Sequence, residues 1–166
     1  MTSYLWERVA ADEKAIVDRH ITEAPVRVGE IARELGITVV RSPLPPKISG
    51  LIQPDLDAPS GFMIKVNKYE STERQRFTIA HEIAHFLLHR QAIGAGVIDS
   101  IMYRSALTSR KEVEANQLAA DIVMPKTLVS SRYKFLRSQA SGSVVEDLAA
   151  DFKVSVPAME VRLGVA

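Results

Sequence analysis

Residues 81 to 85 read His81-Glu82-Ile83-Ala84-His85. On a helix of about 3.6 residues per turn the two histidines stand one turn apart on one face, so both imidazoles reach a single ion. Glu82 projects beside them. Two neutral imidazole nitrogens suit a divalent cation of zinc's character, and an adjacent carboxylate can take a proton from water that such an ion acidifies. The chemistry implied is hydrolysis by activated water.

The flanking residues sharpen the motif. Phe77, Ile79, Ala80, Ile83, Ala84, Phe86, Leu87 and Leu88 wrap most of the helix, the pattern of a helix buried in a core. Thr78, His81, Glu82, His85 and His89 fall within one arc of about 100°. Ionisable groups in apolar surroundings cost free energy unless they are paired or bind a metal, and this stripe holds no Lys or Arg to neutralise Glu82. A solvent face would carry Lys, Glu and Arg, whereas three of the chain's 4 histidines lie here.

Catalytic zinc takes three protein ligands and leaves a position for water. His89 lies about 12 Å along the helix axis from His81, too far to share one ion, so it reads as a group beside a ligand, on the substrate side, or simply near the helix end. A Gly three residues after His85 and a His three further on would mark a metzincin; Leu88 and Gln91 stand there and exclude that class. The third ligand is then a downstream carboxylate from Glu112, Glu114 and Asp121. Ser109 and Glu112 have capping-box spacing, which gives Glu112 a task at its own helix terminus and leaves Glu114 as the expected ligand. Asp121 shares a face with Glu114, where it either orients a ligand histidine or is simply solvated.

Positioning these residues requires an ordinary core. A chain of 166 residues fits one domain and needs neither disulfides nor a structural metal to hold it, so a metal here is read as catalytic. Cysteine is absent, which excludes thiolate metal sites and cysteine nucleophiles. With that composition, and no apolar run resembling a signal peptide or a membrane span, the expected location is cytoplasmic. The net charge of +1 provides no global field toward nucleic acid or anionic membrane.

Apolar spacing predicts an amphipathic helix over residues 3 to 21, a short helix Val28 to Leu35 closed by Gly36, and a strand Ile37 to Val40. Beyond the stiff connector Pro43 to Pro46, two strands, Ile48 to Ile52 and Phe62 to Val66, form a small antiparallel sheet. Thr72 and Gln75 predict a capped helix from about Glu73 to Arg90 that carries the motif. Gly94 to Thr108 has no period and reads as a loop beside the site. Helix resumes at Ser109 and stops before Pro125; a further helix covers Leu128 to Arg137 and, after the cap Ser143, the tail through Leu163 reads as two short helices on either side of Val154 to Pro157.

Two runs together carry a resemblance. Arg74-Gln75-Arg76-Phe77-Thr78-Ile79-Ala80-His81-Glu82-Ile83-Ala84-His85-Phe86-Leu87-Leu88-His89, followed by Glu114-Ala115-Asn116-Gln117-Leu118-Ala119-Ala120-Asp121-Ile122-Val123-Met124-Pro125, resembles the ImmA/IrrE family of metallopeptidases. The resemblance extends from about Val26 to the end. It implies an α+β fold: a mainly helical zincin-like domain, a small three-stranded sheet against the active-site helix, and a C-terminal helix-turn-helix-like segment. The expected organisation is one metallopeptidase domain over 1–166, with an N-terminal helix (1–25), a zincin-like core (26–125) and a C-terminal helical segment (126–166).

The resemblance further implies Zn2+ held by His81, His85 and the Glu before Ala115-Asn116, which is Glu114, with Glu82 as catalytic acid and base. Asp121 and His89 are the residues expected to support those ligands. The implied activity is endopeptidase cleavage of a protein substrate, a helix-turn-helix repressor, within a stress or mobile-element response. The strand Phe62 to Val66 is expected to offer an edge to an extended peptide. Alternatives are a zinc-containing antagonist that binds a repressor without cutting it, and a DNA-binding regulator. Against the latter, residues 143 to 166 hold Glu146, Asp147, Asp151 and Glu160 but only Lys153 and Arg162, the wrong sign for phosphate. Tyr103 and Tyr133 are candidates for assisting the oxyanion, though aromatics at such positions more often pack.

Overall fold

The computed structural model describes residues 4–94, 101–103, 109–139 and 142–165. A 3-10 turn, Tyr4–Arg8, precedes the helices α1 (Ala11–His20) and α2 (Val28–Glu34). Strands β1 (Thr38–Ser42), β2 (Ile48–Pro54) and β3 (Phe62–Asn67) lead into the long α3 (Thr72–Gly94). The short strand β4 (Ile101–Tyr103) is followed by α4 (Arg110–Val123), α5 (Lys126–Ser138), α6 (Val144–Phe152) and α7 (Val156–Leu163). This is the expected α+β architecture, mainly helical with a small sheet. The single helix expected over 3 to 21 is divided at Val9 and Ala10 into the 3-10 turn and α1.

The sheet is mixed rather than antiparallel throughout, because β1 lies parallel to β3, with Val39 opposite Ile64. β2 runs antiparallel to β3, with Ile52 opposite Ile64, and β4 adds to the far side of β2. The strand order β1-β3-β2-β4 puts β3 inside the sheet, so the peptide-pairing edge expected on Phe62 to Val66 is already used by its neighbours. Of the segment expected to be a loop, residues 101–103 form β4; residues 95–100 and 104–108 lie outside the described residues.

α3 packs between the sheet, through β2, and α4. Its interior is closed on every side: each residue from Thr78 to Leu87 is buried, as an all-round apolar helix requires. Close approach to β2 depends on Gly50, where an added Cβ would stand 2.5 Å from Thr78 Cγ2 and 2.7 Å from the Lys65 carbonyl oxygen. Ser71, one residue before the predicted cap, starts the helix: its hydroxyl accepts the Arg74 N–H at 3.2 Å. Gly36, at φ 79°, closes α2 in the left-handed region and turns the chain into β1, as its position implied.

Long-range polar contacts pin the ends of the chain onto this centre. Trp6 Nε1 donates to Asp121 Oδ2 at 3.1 Å, so the 3-10 turn is held to α4. Arg162 of α7 donates to Asp121 Oδ1 at 2.8 Å and to the Met124 carbonyl at 2.8 Å. Arg76 of α3 donates to the carbonyls of Lys153 and Phe152, where α6 ends. Arg90 pairs with Glu13 of α1 and lies over the Phe86 ring, 3.8 Å from its centroid.

Candidate metal centre

The helix α3 presents His81, Glu82 and His85 from the middle of the buried segment, each at 0–1% exposure. The His81 and His85 rings lie edge to face, with centroids 4.9 Å apart, as one-turn spacing predicts. Their Nε2 atoms converge on one carboxylate, which belongs to Glu112 and not to Glu114. His81 Nε2 is 3.0 Å from Glu112 Oε2, and His85 Nε2 is 2.9 Å from Glu112 Oε1. Each of these three residues offers a donor atom within 4.8 Å of the others'.

The structure does not bring Glu114, the ligand expected from the sequence, to the histidine pair. Ser109 does cap α4, its hydroxyl accepting the Glu112 N–H at 3.2 Å, but only the backbone half of the capping box engages the serine. The Glu112 carboxylate turns to the histidines instead. Glu114, two residues on, takes a different direction from the helix: it accepts from Arg8 and lies 3.0 Å from His89 Nε2. Asp121 is also not beside a ligand histidine; it is held by Trp6 and Arg162. His89 does stand next to a ligand candidate, with its Nδ1 3.0 Å from His85 Nδ1. α3 leaves helical geometry at His89 (φ −129°, ψ 22°), while the ring remains inside the protein. Tyr133 sits on α5 with its hydroxyl 3.5 Å from Arg137, and the side chain of Tyr103 lies outside the described residues.

Arg8 is the residue the sequence did not single out. It carries no motif, and nothing in local spacing links it to a carboxylate more than a hundred positions away.

Electrostatics suit a cation. Burial pushes the His81 imidazole below its ordinary value, against the pull of Glu112, which keeps it in the neutral form a metal requires. Burial alone would raise the Glu112 carboxyl, but the hydrogen bond with His81 and the close approach of His85 outweigh it and hold it at about 2. Glu114 shows the same balance, with Arg8 and His89 overriding burial to hold it at about 2. His85 Nε2 is buried without a hydrogen-bonding alignment despite its 2.9 Å approach to Glu112. Two imidazole nitrogens and a carboxylate, one of the nitrogens buried with no hydrogen bond, fit a divalent metal ion.

Known proteins resemble the chain in sequence and in fold. The model of the family described as IrrE N-terminal-like domain matches residues 32–164. Metallopeptidase ImmA of Bacillus subtilis is 23% identical over 154 residues, spanning 93% of this chain and 83% of that protein. Among solved structures, a Mycobacterium tuberculosis transcriptional regulator matches with a TM-score of 0.56 at 18% identity, over 97% of this chain and 49% of its own. The chain thus spans about half of that regulator, and the likeness is one of fold. With an HExxH helix and a third carboxylate placed on the following helix, and with the family model matched from α2 to α7, the chain belongs to the ImmA/IrrE family of metallopeptidases.

Proposed function

We propose that the protein is a zinc-dependent endopeptidase in which His81, His85 and Glu112 hold the ion and Glu82 is the acid and base. The observation that carries this reading is the convergence of two buried imidazoles and one carboxylate on a common point. When bound, zinc supplies Lewis acidity, acidifying water and polarising the scissile carbonyl. Glu82 follows His81 on the same helix face, takes the proton of the attacking water and returns it to the leaving nitrogen. Its complete burial keeps bulk water from competing for that proton.

A cleft of about 900 Å3 supplies the substrate side of this reading, with Tyr69, Arg74, Phe77, Asn116 and Ser155 in its walls. Phe77 stands one turn before His81 and Asn116 one turn after Glu112, so the two helices that carry the ligands also contribute to the cleft's walls. Its mixed lining suits the backbone and side chains of a polypeptide. The substrate we propose is a helix-turn-helix repressor, cut in the cytoplasm during a stress or mobile-element response. The relative named as a metallopeptidase favours cleavage over passive binding.

A DNA-reading role for α6 and α7 has less support. Arg162 is committed to Asp121 and the Met124 carbonyl, and α6 is anchored through Arg76. Neither arrangement leaves cations arrayed for phosphate.

The test is incubation of the purified protein with candidate repressors, with zinc or with chelator, followed by mass spectrometry of fragments. Zinc-dependent fragments are expected, and Glu82→Gln should keep its zinc while losing cleavage by about 10²-fold or more, the range for a general acid and base. A repressor displaced from its operator yet left intact would instead identify an antagonist.

A further inference from the structure

Three contacts run in series from the N-terminal turn to the ligand cluster. Arg8 Nη1 donates to Glu114 Oε2, Glu114 Oε1 lies 3.0 Å from His89 Nε2, and His89 Nδ1 lies 3.0 Å from His85 Nδ1. We propose that Arg8, Glu114 and His89 set the tautomer and orientation of His85, making the N-terminal turn a working part of the metal centre. This rests on the reading of His85 as a ligand.

Donor and acceptor balance sets each proton in the series. A guanidinium only donates, so Glu114 is held as an acceptor and the proton between it and His89 sits on His89 Nε2. A neutral imidazole has one N–H, which leaves His89 Nδ1 an acceptor. The proton between the two rings must then sit on His85 Nδ1. His85 Nε2 is left with its lone pair, beside Glu112. Without this series His85 could take the other tautomer and carry its proton on Nε2, 2.9 Å from Glu112, where a protonated nitrogen has no lone pair for a metal. In the tautomer set by the series two acceptors lie 2.9 Å apart there, an arrangement that favours a cation beside both.

Arg8 is delivered by its neighbours. Leu5 and Trp6 are buried, and Trp6 bonds Asp121, seven residues beyond Glu114 on the same helix. Arg110 also approaches Glu114, but at 3.7 Å its Nε is beyond hydrogen-bond reach. Arg8 lies outside the matched family segment, residues 32–164. These three are positioning residues: they act on zinc through His85.

Glu114→Gln tests the direction of the series. With Arg8 present the amide turns its oxygen to the guanidinium and its NH2 to His89 Nε2, which reverses the series and puts a proton on His85 Nε2. Zinc affinity, measured by competition with a chromogenic chelator, should fall about 10- to 100-fold. Adding Arg8→Ala frees the amide oxygen to turn back to His89, so the double variant should bind zinc more tightly than Glu114→Gln alone. A packing role predicts the reverse, with the double variant at least as weak as the single. Nitrogen-15 spectra of the metal-free wild-type protein should show His85 protonated at Nδ1, and protonation at Nε2 would overturn the proposal without any variant. Wild-type protein that binds no zinc would sink the peptidase reading. Wild-type protein that binds zinc with Glu114→Gln unchanged would sink only the relay.

Discussion

Glu112 and Glu114 are chemically identical and separated by one residue, yet they end against different partners. The capping rule correctly identifies Ser109 as the start of α4, and the Glu112 N–H is the group it satisfies. What the rule does not decide is the carboxylate, which can reach back to the cap or across to a neighbouring helix. Here α3 supplies two imidazoles within 3.0 Å, and the carboxylate goes there. The motif on one helix was therefore legible in the sequence, while the choice between two glutamates on another depended on how α3 and α4 meet. Titration gives a prediction at this scale. His81 lies below its ordinary value of 6.5, so the folded state resists its protonation, and its contribution is complete above 6.5 and declines as pH falls below it. Glu112 and Glu114 are held at about 2, so their contribution is present above 4.5 and is lost as pH falls from there toward 2. Metal-free protein should lose stability in two stages on acidification, seen as urea midpoints falling first below pH 6.5 and again below pH 4.5. A midpoint unchanged between pH 7 and pH 5 would contradict the His81 part.

Elements were more readable than their pairing. Helix α3 and strands β2 and β3 follow from apolar period and turn residues, and their observed bounds differ from expectation by a few residues. The parallel alignment of β1 with β3 did not follow, because alternation along a strand records which side is buried and not which strand lies alongside. Gly50 carries a similar hidden message: in sequence it is a glycine within a strand pattern, and only the packed structure shows Thr78 against it. Gly50→Ala should destabilise the protein by about 1–3 kcal/mol through overpacking between β2 and α3. Thermal unfolding with and without zinc checks this, and a variant as stable as wild type would show that the two elements are not in such close contact.

The whole molecule is tied together by contacts distant in sequence. Trp6, Arg76, Arg90 and Arg162 bind the two ends of the chain to α3 and α4, which between them carry every candidate ligand. No helix among the described residues is long and apolar enough to cross a membrane. Trp6→Ala removes a buried ring and the bond to Asp121, and a loss of about 3–5 kcal/mol is expected from denaturant unfolding. A much smaller loss would mean that the N-terminal turn is not docked as described. The decisive feature of the molecule is where the ion is held. An anomalous difference map at the zinc edge, from crystals of the zinc-loaded protein, measures this directly. One peak is expected, about 2.0–2.2 Å from the Nε2 atoms of His81 and His85 and from an oxygen of Glu112. A peak held by Glu114 in place of Glu112, or no peak between the two histidines from protein carrying one equivalent of zinc, would contradict it.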